Sequence, residues 1–318
     1  MVCVSASSIN SFWVYFIEHI AILLTSLGAY LVYRLFYVQE SHKDSLTRVW
    51  NNPRSLVCCI LSGIGDTSGN LLIIFSLMLA MSAKVSPSSV SCLLMSNNIA
   101  MLLIGIYVFH EKHTLLEYFG AFCIFCACIV ITLQKGFNND GVVQLSSIEF
   151  YLSIFLALIC AIAWGMVGFA AKWASYFYEV EPDEYAILAM TISGIIGICS
   201  IFFIYPLGIE IEPKDDEKLW FYILSALGAG FFTTFGVFTG IFALHNGSVE
   251  VTSLFANMRV IPQIIEEYLL FGIIPSIFSS IGILIALFGC VLMVFSDTNT
   301  ESKSEIIELT EKSDKISS

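Results

Sequence analysis

The chain has 318 residues, of which 57% are hydrophobic and 13% charged, and its formal net charge is −12. Soluble domains carry about 25% charged residues, so a water-soluble fold of this size is excluded for want of polar groups to cover its surface. Nucleic acid is excluded as a partner too. Much of the acidic charge sits in short loops (Glu210, Glu212, Asp215, Asp216, Glu217) and in the tail from Asp297, and there is no basic patch of the kind that phosphate binding requires.

The apolar residues fall in blocks of about 20 to 26, long enough to cross a hydrocarbon core of about 30 Å as helices. In chain order the expected spans are 12–37, 55–81, 86–109, 114–134, 151–176, 185–207, 219–244, 248–272 and 275–296. The sequence thus predicts an all-α membrane protein, a polytopic bundle of about nine transmembrane helices. The first block has no positive residue before it and exceeds the h-region of a signal peptide, so it reads as a retained helix. Loop chemistry marks the breaks at 38–54, 135–149 and 208–218, with Asn51-Asn52-Pro53, Asn138-Asn139-Asp140-Gly141 and Pro213-Lys214-Asp215-Asp216. The shorter breaks at 82–85, 110–113, 245–247 and 272–275 predict helical hairpins. The tail 297–318 has the composition of a disordered segment.

Lys and Arg collect on the cytoplasmic side of a membrane. Arg34, Lys43, Arg48, Arg54, Lys112, Lys172, Lys303, Lys312 and Lys315 share one set of alternating ends, against Lys84, Lys135, Lys214 and Lys218 on the other. The first set is expected inside, which places the C-terminus in the cytoplasm and the N-terminus outside or in a lumen. The sequon Asn246-Gly247-Ser248 then lies on the cytoplasmic side and is expected to stay unmodified. Plasma membrane and endomembrane remain equal choices.

Nine of the ten cysteines lie in apolar blocks. Cys123 and Cys126 form a CxxC without a second pair or a nearby His, short of the four ligands a zinc site needs. Cysteine as a small packing residue is the simpler reading, and no metal or cofactor is expected. There is no Walker A, HExxH or GxSxG sequence, so neither an ATP-driven pump nor a familiar intramembrane hydrolase is indicated.

A shift of 162 residues aligns Ser86, Ser91, Ile99, Phe109, Gly120 and Cys128 with Ser248, Ser253, Ile261, Phe271, Gly282 and Cys290, and Ala127 with Gly289. Helix and turn rhythms coincide across two spans, which favours duplication over shared membrane composition. The expected halves are 1–134 with four spans and 150–296 with five, joined by 135–149. A five-span unit repeated once is inverted, because five is odd, and such repeats bind solute near the midplane between the halves.

These features resemble the drug/metabolite transporter superfamily, in its EamA-like group. The first copy reads Phe109-His110-Glu111-Lys112-His113-Thr114 followed by Gly120 and Ala127; the second reads Phe271-Gly272-Ile273-Ile274-Pro275-Ser276 followed by Gly282 and Gly289. Pro262 stands where the family breaks a helix, with Ala100 at the equivalent place in the first copy. Ala163-Trp164-Gly165 looks like the opening of the second repeat. The resemblance covers 55–134 and 151–296 and implies a ten-helix fold, of which the first helix is missing from the spans counted here. It implies secondary transport without a cofactor.

Polar side chains inside lipid spans are functional candidates because burying them is expensive. Arg259, Gln263 and Glu266 share one face of 248–272. Arg259 suits a carboxylate or phosphate, or it pairs with Glu266 to lock the bundle; Pro262 opens a kink beside them. Asp66 and Asn70 share a face of 55–81, where Asp66 is either a proton carrier or the counter-charge to Arg259. Of Asn97 and Asn98 only one fully faces a cavity, and the repeat shift favours Asn97, which aligns with Arg259. Trp164 is a stacking candidate, though packing against lipid or core is the better reading. Glu18 and His19 form a lesser pair, Thr233 and Thr234 are expected to bond their own helix, and Lys84, Glu250, Lys172, Glu111 and Lys112 read as span-end charges. The expected protein is a secondary transporter of a small organic solute, such as an anionic metabolite, sugar phosphate or nucleotide-linked sugar, working by alternating access. The alternative is a membrane scaffold or receptor on the same fold. Expected partners are the solute and the lipid bilayer, with a homodimer allowed.

Overall fold

A computed structural model describes residues 11–36, 52–83, 87–110, 113–137, 148–204, 219–246, 276–293 and 295, with isolated positions between 261 and 269. The described residues are helical apart from short turns between the helices. Helix α1 is Ser11–Phe36, α2 Pro53–Ser82, α3 Pro87–Leu93, α4 Asn97–Tyr107, α5 Leu115–Phe137, α6 Ile148–Tyr178, α7 Pro182–Cys199, α8 Ile201–Ile204 and α9 Leu219–Asn246; α10 is Ile277–Met293. Seven stretches among the described residues are long and apolar enough to cross a membrane. The chain is a multi-pass membrane protein. In a bilayer each backbone N–H and C=O must be satisfied within its own segment, and helices of this length do that.

The expected boundaries hold with three differences. The stretch 86–109 is broken by a 3-10 turn at Leu94–Ser96, between α3 and α4. The gap expected at 177–184 shrinks to three residues, because α6 runs on to Tyr178 and Pro182 opens α7. Glu179 makes this turn possible by adopting a left-handed backbone at φ 50°, and Pro182 fits a first helical turn, whose N–H groups lack partners anyway. The stretch expected at 185–207 ends its main helix at Cys199 and resumes as the short α8. The span expected at 248–272 lies largely outside the described residues.

Helix α2 packs most extensively on α6, α9 on α1, and α7 on both α1 and α2. Two apolar cores result. One gathers Ile73, Leu77, Leu93, Met95, Ile124, Ile154 and Ile283 from α2, α3, the 3-10 turn, α5, α6 and α10. The other gathers Cys58, Cys59, Ala170, Tyr185, Ala189 and Ile241 from α2, α6, α7 and α9. Each fully buried aliphatic or aromatic side chain stabilises the bundle by packing rather than by leaving water, since lipid is as apolar as the core.

Helices α5 and α10 meet at glycines. A Cβ on Gly120 would strike the Gly289 carbonyl, and one on Gly289 would strike the Gly120 carbonyl. Gly282 lies against Ile131 and the Ala127 carbonyl. The 162-residue shift carries 120 to 282 and 127 to 289. The contact of 120 with 289 therefore maps onto the contact of 282 with 127. The same shift carries α1 onto the region of α7 and α2 onto that of α9, so the α1–α9 packing corresponds to α7–α2.

Candidate functional site

Between the two apolar cores lies a waist of polar and small residues. On α2 it is Ser62-Gly63-Ile64-Gly65-Asp66-Thr67-Ser68-Gly69-Asn70, and on α6 it is Ala163-Trp164-Gly165-Met166-Val167-Gly168, each at mid-helix. The glycines let the two backbones approach: a Cβ on Gly65 would meet the Ala163 carbonyl, and one on Gly69 would meet the Trp164 indole. Hydroxyls and a thiol then bridge the helices. Ser62 donates to the Val167 carbonyl at 3.2 Å, Ser76 to the Ser153 carbonyl at 2.7 Å and Cys160 to the Gly69 carbonyl at 3.1 Å. Such bonds are satisfied locally and suit a lipid-embedded bundle.

Asp66 is 4% exposed. Its Oδ2 accepts a 2.6 Å hydrogen bond from the Ser193 hydroxyl of α7, and Thr67 next to it donates to the Ser193 carbonyl at 3.1 Å. Gly63 opposite Ile192 and Ser193 permits this approach. Asn70, half-buried one turn after Asp66, lies within reach of its carboxylate. Asn97 stands where the 3-10 turn gives way to α4, and its buried Oδ1 has no hydrogen-bond partner. That oxygen abuts Gly165, next to Trp164. A 3-10 turn inside a span disturbs the regular backbone ladder and commonly marks a hinge or a site. Asn98 is instead buried against α10, with its Nδ2 donating to Cys290 Sγ at 3.3 Å. The structure thus brings Asp66, Asn70, Trp164 and Asn97 to one level across α2, α6 and α4. Arg259, Gln263 and Glu266 lie outside the described residues.

A second polar group sits beside Asp66. Glu18 on α1 is 8% exposed, and its Oε1 accepts a hydrogen bond from Thr233 of α9 at 3.3 Å. This corrects the expectation for Thr233, whose hydroxyl reaches across to α1; Thr234 does bond its own helix, at the Gly230 carbonyl. His19 is fully buried, with Nδ1 at 2.8 Å from the Tyr15 carbonyl and Nε2 without a partner. Three glycines admit these side chains: Gly197 and Gly194 of α7 lie against His19 and Leu23, and Gly230 of α9 lies against the Glu18 carbonyl and Ala21. Sequence reading ranked Glu18 low because it lies only a third of the way into its span. The signal it missed was in the partners, a hydroxyl and a glycine on distant helices.

Lys172 lies at the end of α6 with its Nζ 5.1 Å from the Phe109 ring centre, in a contact that holds a cation over an aromatic face. A cavity of about 210 Å³ opens there, lined by Lys172, Ser175, Tyr176, Pro182, Tyr185 and Ile241. It sits at the α6–α7 junction, away from the waist.

Residues 151–295 match the sequence profile of the EamA-like transporter family. A solved structure titled only "Crystal structure of protein" shares the fold, with a TM-score of 0.57 at 14% identity over 94% of this chain and 92% of that one. No curated protein sequence matches the chain. The multi-pass helical architecture is consistent with the profile match. The matched stretch, a little under half of the chain, is similar to the EamA-like transporter family.

Proposed function

We propose that this protein is a transporter that moves a small organic solute by alternating access, through a site at the waist formed by Asp66, Asn70, Asn97 and Trp164. The observation that carries the reading is the buried, unpartnered Oδ1 of Asn97 at the 3-10 turn. Leaving a buried acceptor unpaired costs roughly 1–3 kcal/mol, and a bound solute's N–H or O–H would remove that cost. Trp164 beside Asn97 offers an aromatic face, and Asn70 adds an amide. Arg259, Gln263 and Glu266 are proposed to complete the site from the second half of the chain, Arg259 holding an anionic group.

The two-repeat organisation, 1–134 and 150–296, belongs to the same proposal. Its support is the paired contacts of α5 with α10, which exchange with each other under the 162-residue shift. Rocking of one half against the other would open a waist that is packed closed here, with Trp164 on Gly69. The cytoplasmic C-terminus and the homodimer stay proposals on the charge distribution and the fold.

The test is uptake into proteoliposomes of a panel of labelled sugars, sugar phosphates, nucleotide sugars, amino acids and organic acids. Wild type is compared with Asn97→Ala and Arg259→Ala. At least one solute should accumulate in the wild type and fall tenfold or more in Asn97→Ala. Uptake unchanged by either substitution would remove both residues from the site.

A further inference from the structure

The cavity of about 210 Å³ where α6 turns into α7 has a size, a setting and a charge pattern that point to one kind of occupant. Lys172, Ser175 and Tyr176 of α6 form one wall, Tyr185 of α7 a second, and Ile241 of α9 a third. The second wall is fixed. Tyr185 is buried, its hydroxyl donates to the Cys58 carbonyl of α2 at 3.1 Å, and the Ser62 hydroxyl lies 2.5 Å from it. The volume equals the share of about seven waters in the liquid. It falls below the roughly 300–1,000 Å³ of sites that enclose a whole drug-sized ligand. It suits the polar head of a molecule whose apolar part stays outside.

The setting is the end of the bundle, in the last turn of α6 and the last turns of α9. Phe109 meets Trp173, Tyr176 and Phe177 there, with ring centres 6.3, 5.9 and 6.5 Å apart. Tyr176 is 66% exposed and Phe177 47%. Aromatic rings gather at the depth of lipid head groups. Beside Ile241, Phe242 is exposed on α9, so apolar surface continues outward from the cavity.

The charges are of both signs. Lys172 holds its Nζ 5.1 Å from the Phe109 ring centre, which keeps the cation at the wall by its attraction to the ring face. Snorkelling alone accounts for a Lys at a span end. It does not account for a cavity shaped around that Lys, with two hydroxyl-bearing neighbours. Val180 also lines the cavity, and Glu179 and Glu181 on either side of it are exposed. A wholly basic pocket between spans takes an anionic head group. Here an anionic head is drawn by Lys172 and repelled by the turn. A head carrying both charges satisfies both.

We propose that this cavity binds the zwitterionic head group of a phospholipid. Its phosphate lies at Lys172, Ser175 and Tyr176, where an ammonium and two hydroxyls donate to it. Its ammonium lies at Glu179 and Glu181. The acyl chains stay outside, against Tyr176, Phe177 and Phe242.

The experiment measures lipid binding to the purified full-length protein in detergent by native mass spectrometry. The probes are dioleoyl phosphatidylethanolamine, dioleoyl phosphatidylglycerol and soluble phosphoethanolamine. The two lipids differ in the head alone. The first ethanolamine lipid should bind about tenfold tighter than the first glycerol lipid, the worth of one charge-assisted hydrogen bond. Lys172→Met should weaken it by about the same factor, and Lys172→Arg should restore most of the loss. Glu179→Gln with Glu181→Gln changes only exposed side chains and should bring the glycerol lipid level with the ethanolamine lipid. Equal binding of the two lipids by the wild type overturns the proposal, as does full binding by Lys172→Met. Displacement of the lipid by soluble phosphoethanolamine overturns it too, because the occupant is then a soluble phosphate ester. Should Lys172→Met not fold, the glutamine pair decides, and an unchanged lipid preference overturns the assignment.

Discussion

Helices α2 and α9 occupy corresponding places under the 162-residue shift, yet their surroundings differ sharply. In the most apolar window of α2, 61% of residues are buried, against 17% in α9. Helix α2 is gripped on one side by α6, through Gly65, Gly69, Ser62 and Ser76, and on the other by α7, through Gly63 and Thr67. Among the described residues, helix α9 is held most closely by α1, through Gly230 and Thr233, while Trp220, Leu224, Phe231, Phe232 and Phe235 are exposed and Gly228 and Gly236 have nothing within reach. In a membrane those aromatic side chains cost nothing where they stand. The difference teaches that small residues in a span mean close packing only where another helix lies on them; the glycine itself does not bring the neighbour.

The comparison is broken most severely by filling the two kinds of glycine. Gly69→Leu, whose first side-chain atom already meets the Trp164 indole, should destabilise the folded protein by about 1–3 kcal/mol or more. Gly228→Leu on α9 should stay within about 0.5 kcal/mol. Thermal unfolding in detergent measures both, and equal shifts would show that α9 is covered after all. Next in size is Ser193→Ala, which strips the Asp66 carboxylate of its 2.6 Å bond; about 1–3 kcal/mol is expected, since the partner left behind is buried and polar. Thr233→Val removes a longer bond to Glu18 on the loosely held helix and should cost about 0.5–1.5 kcal/mol. Phe232→Ala, exposed on α9, should change stability by less than about 0.5 kcal/mol, and a larger loss would point to an unseen partner on that face.

Much of the fold was legible because the bilayer imposes a length, and length survives in sequence as blocks of apolar residues. Boundaries were clear wherever Pro or Asn-Gly chemistry ended a block, as at Pro53. They blurred where helix ends are set by tertiary contact: nothing in Met95-Ser96-Asn97 announces a 3-10 turn, and nothing in Ser200 announces a break. For the proposed site, mid-span polarity singled out Asp66, which is buried with a partner on another helix, and Asn97 was preferred to Asn98 by the repeat shift alone. The partners themselves were invisible. Ser193 and Thr233 are ordinary helix hydroxyls until α7 and α9 are set against Asp66 and Glu18, and such long-range pairings leave no local pattern.

The reciprocal meeting of Gly120 and Gly289 has a consequence for how this protein tolerates change. Each glycine occupies the room that a methyl group on the other would need. A first enlargement forces α5 and α10 apart, and once they are apart a second enlargement meets little resistance. The two positions should therefore be strongly non-additive, with the double substitution barely worse than either single one. No one-step change at either residue can be rescued at the other, because neither has anything left to give up, and the pair is expected to drift only together with the backbone spacing of both helices.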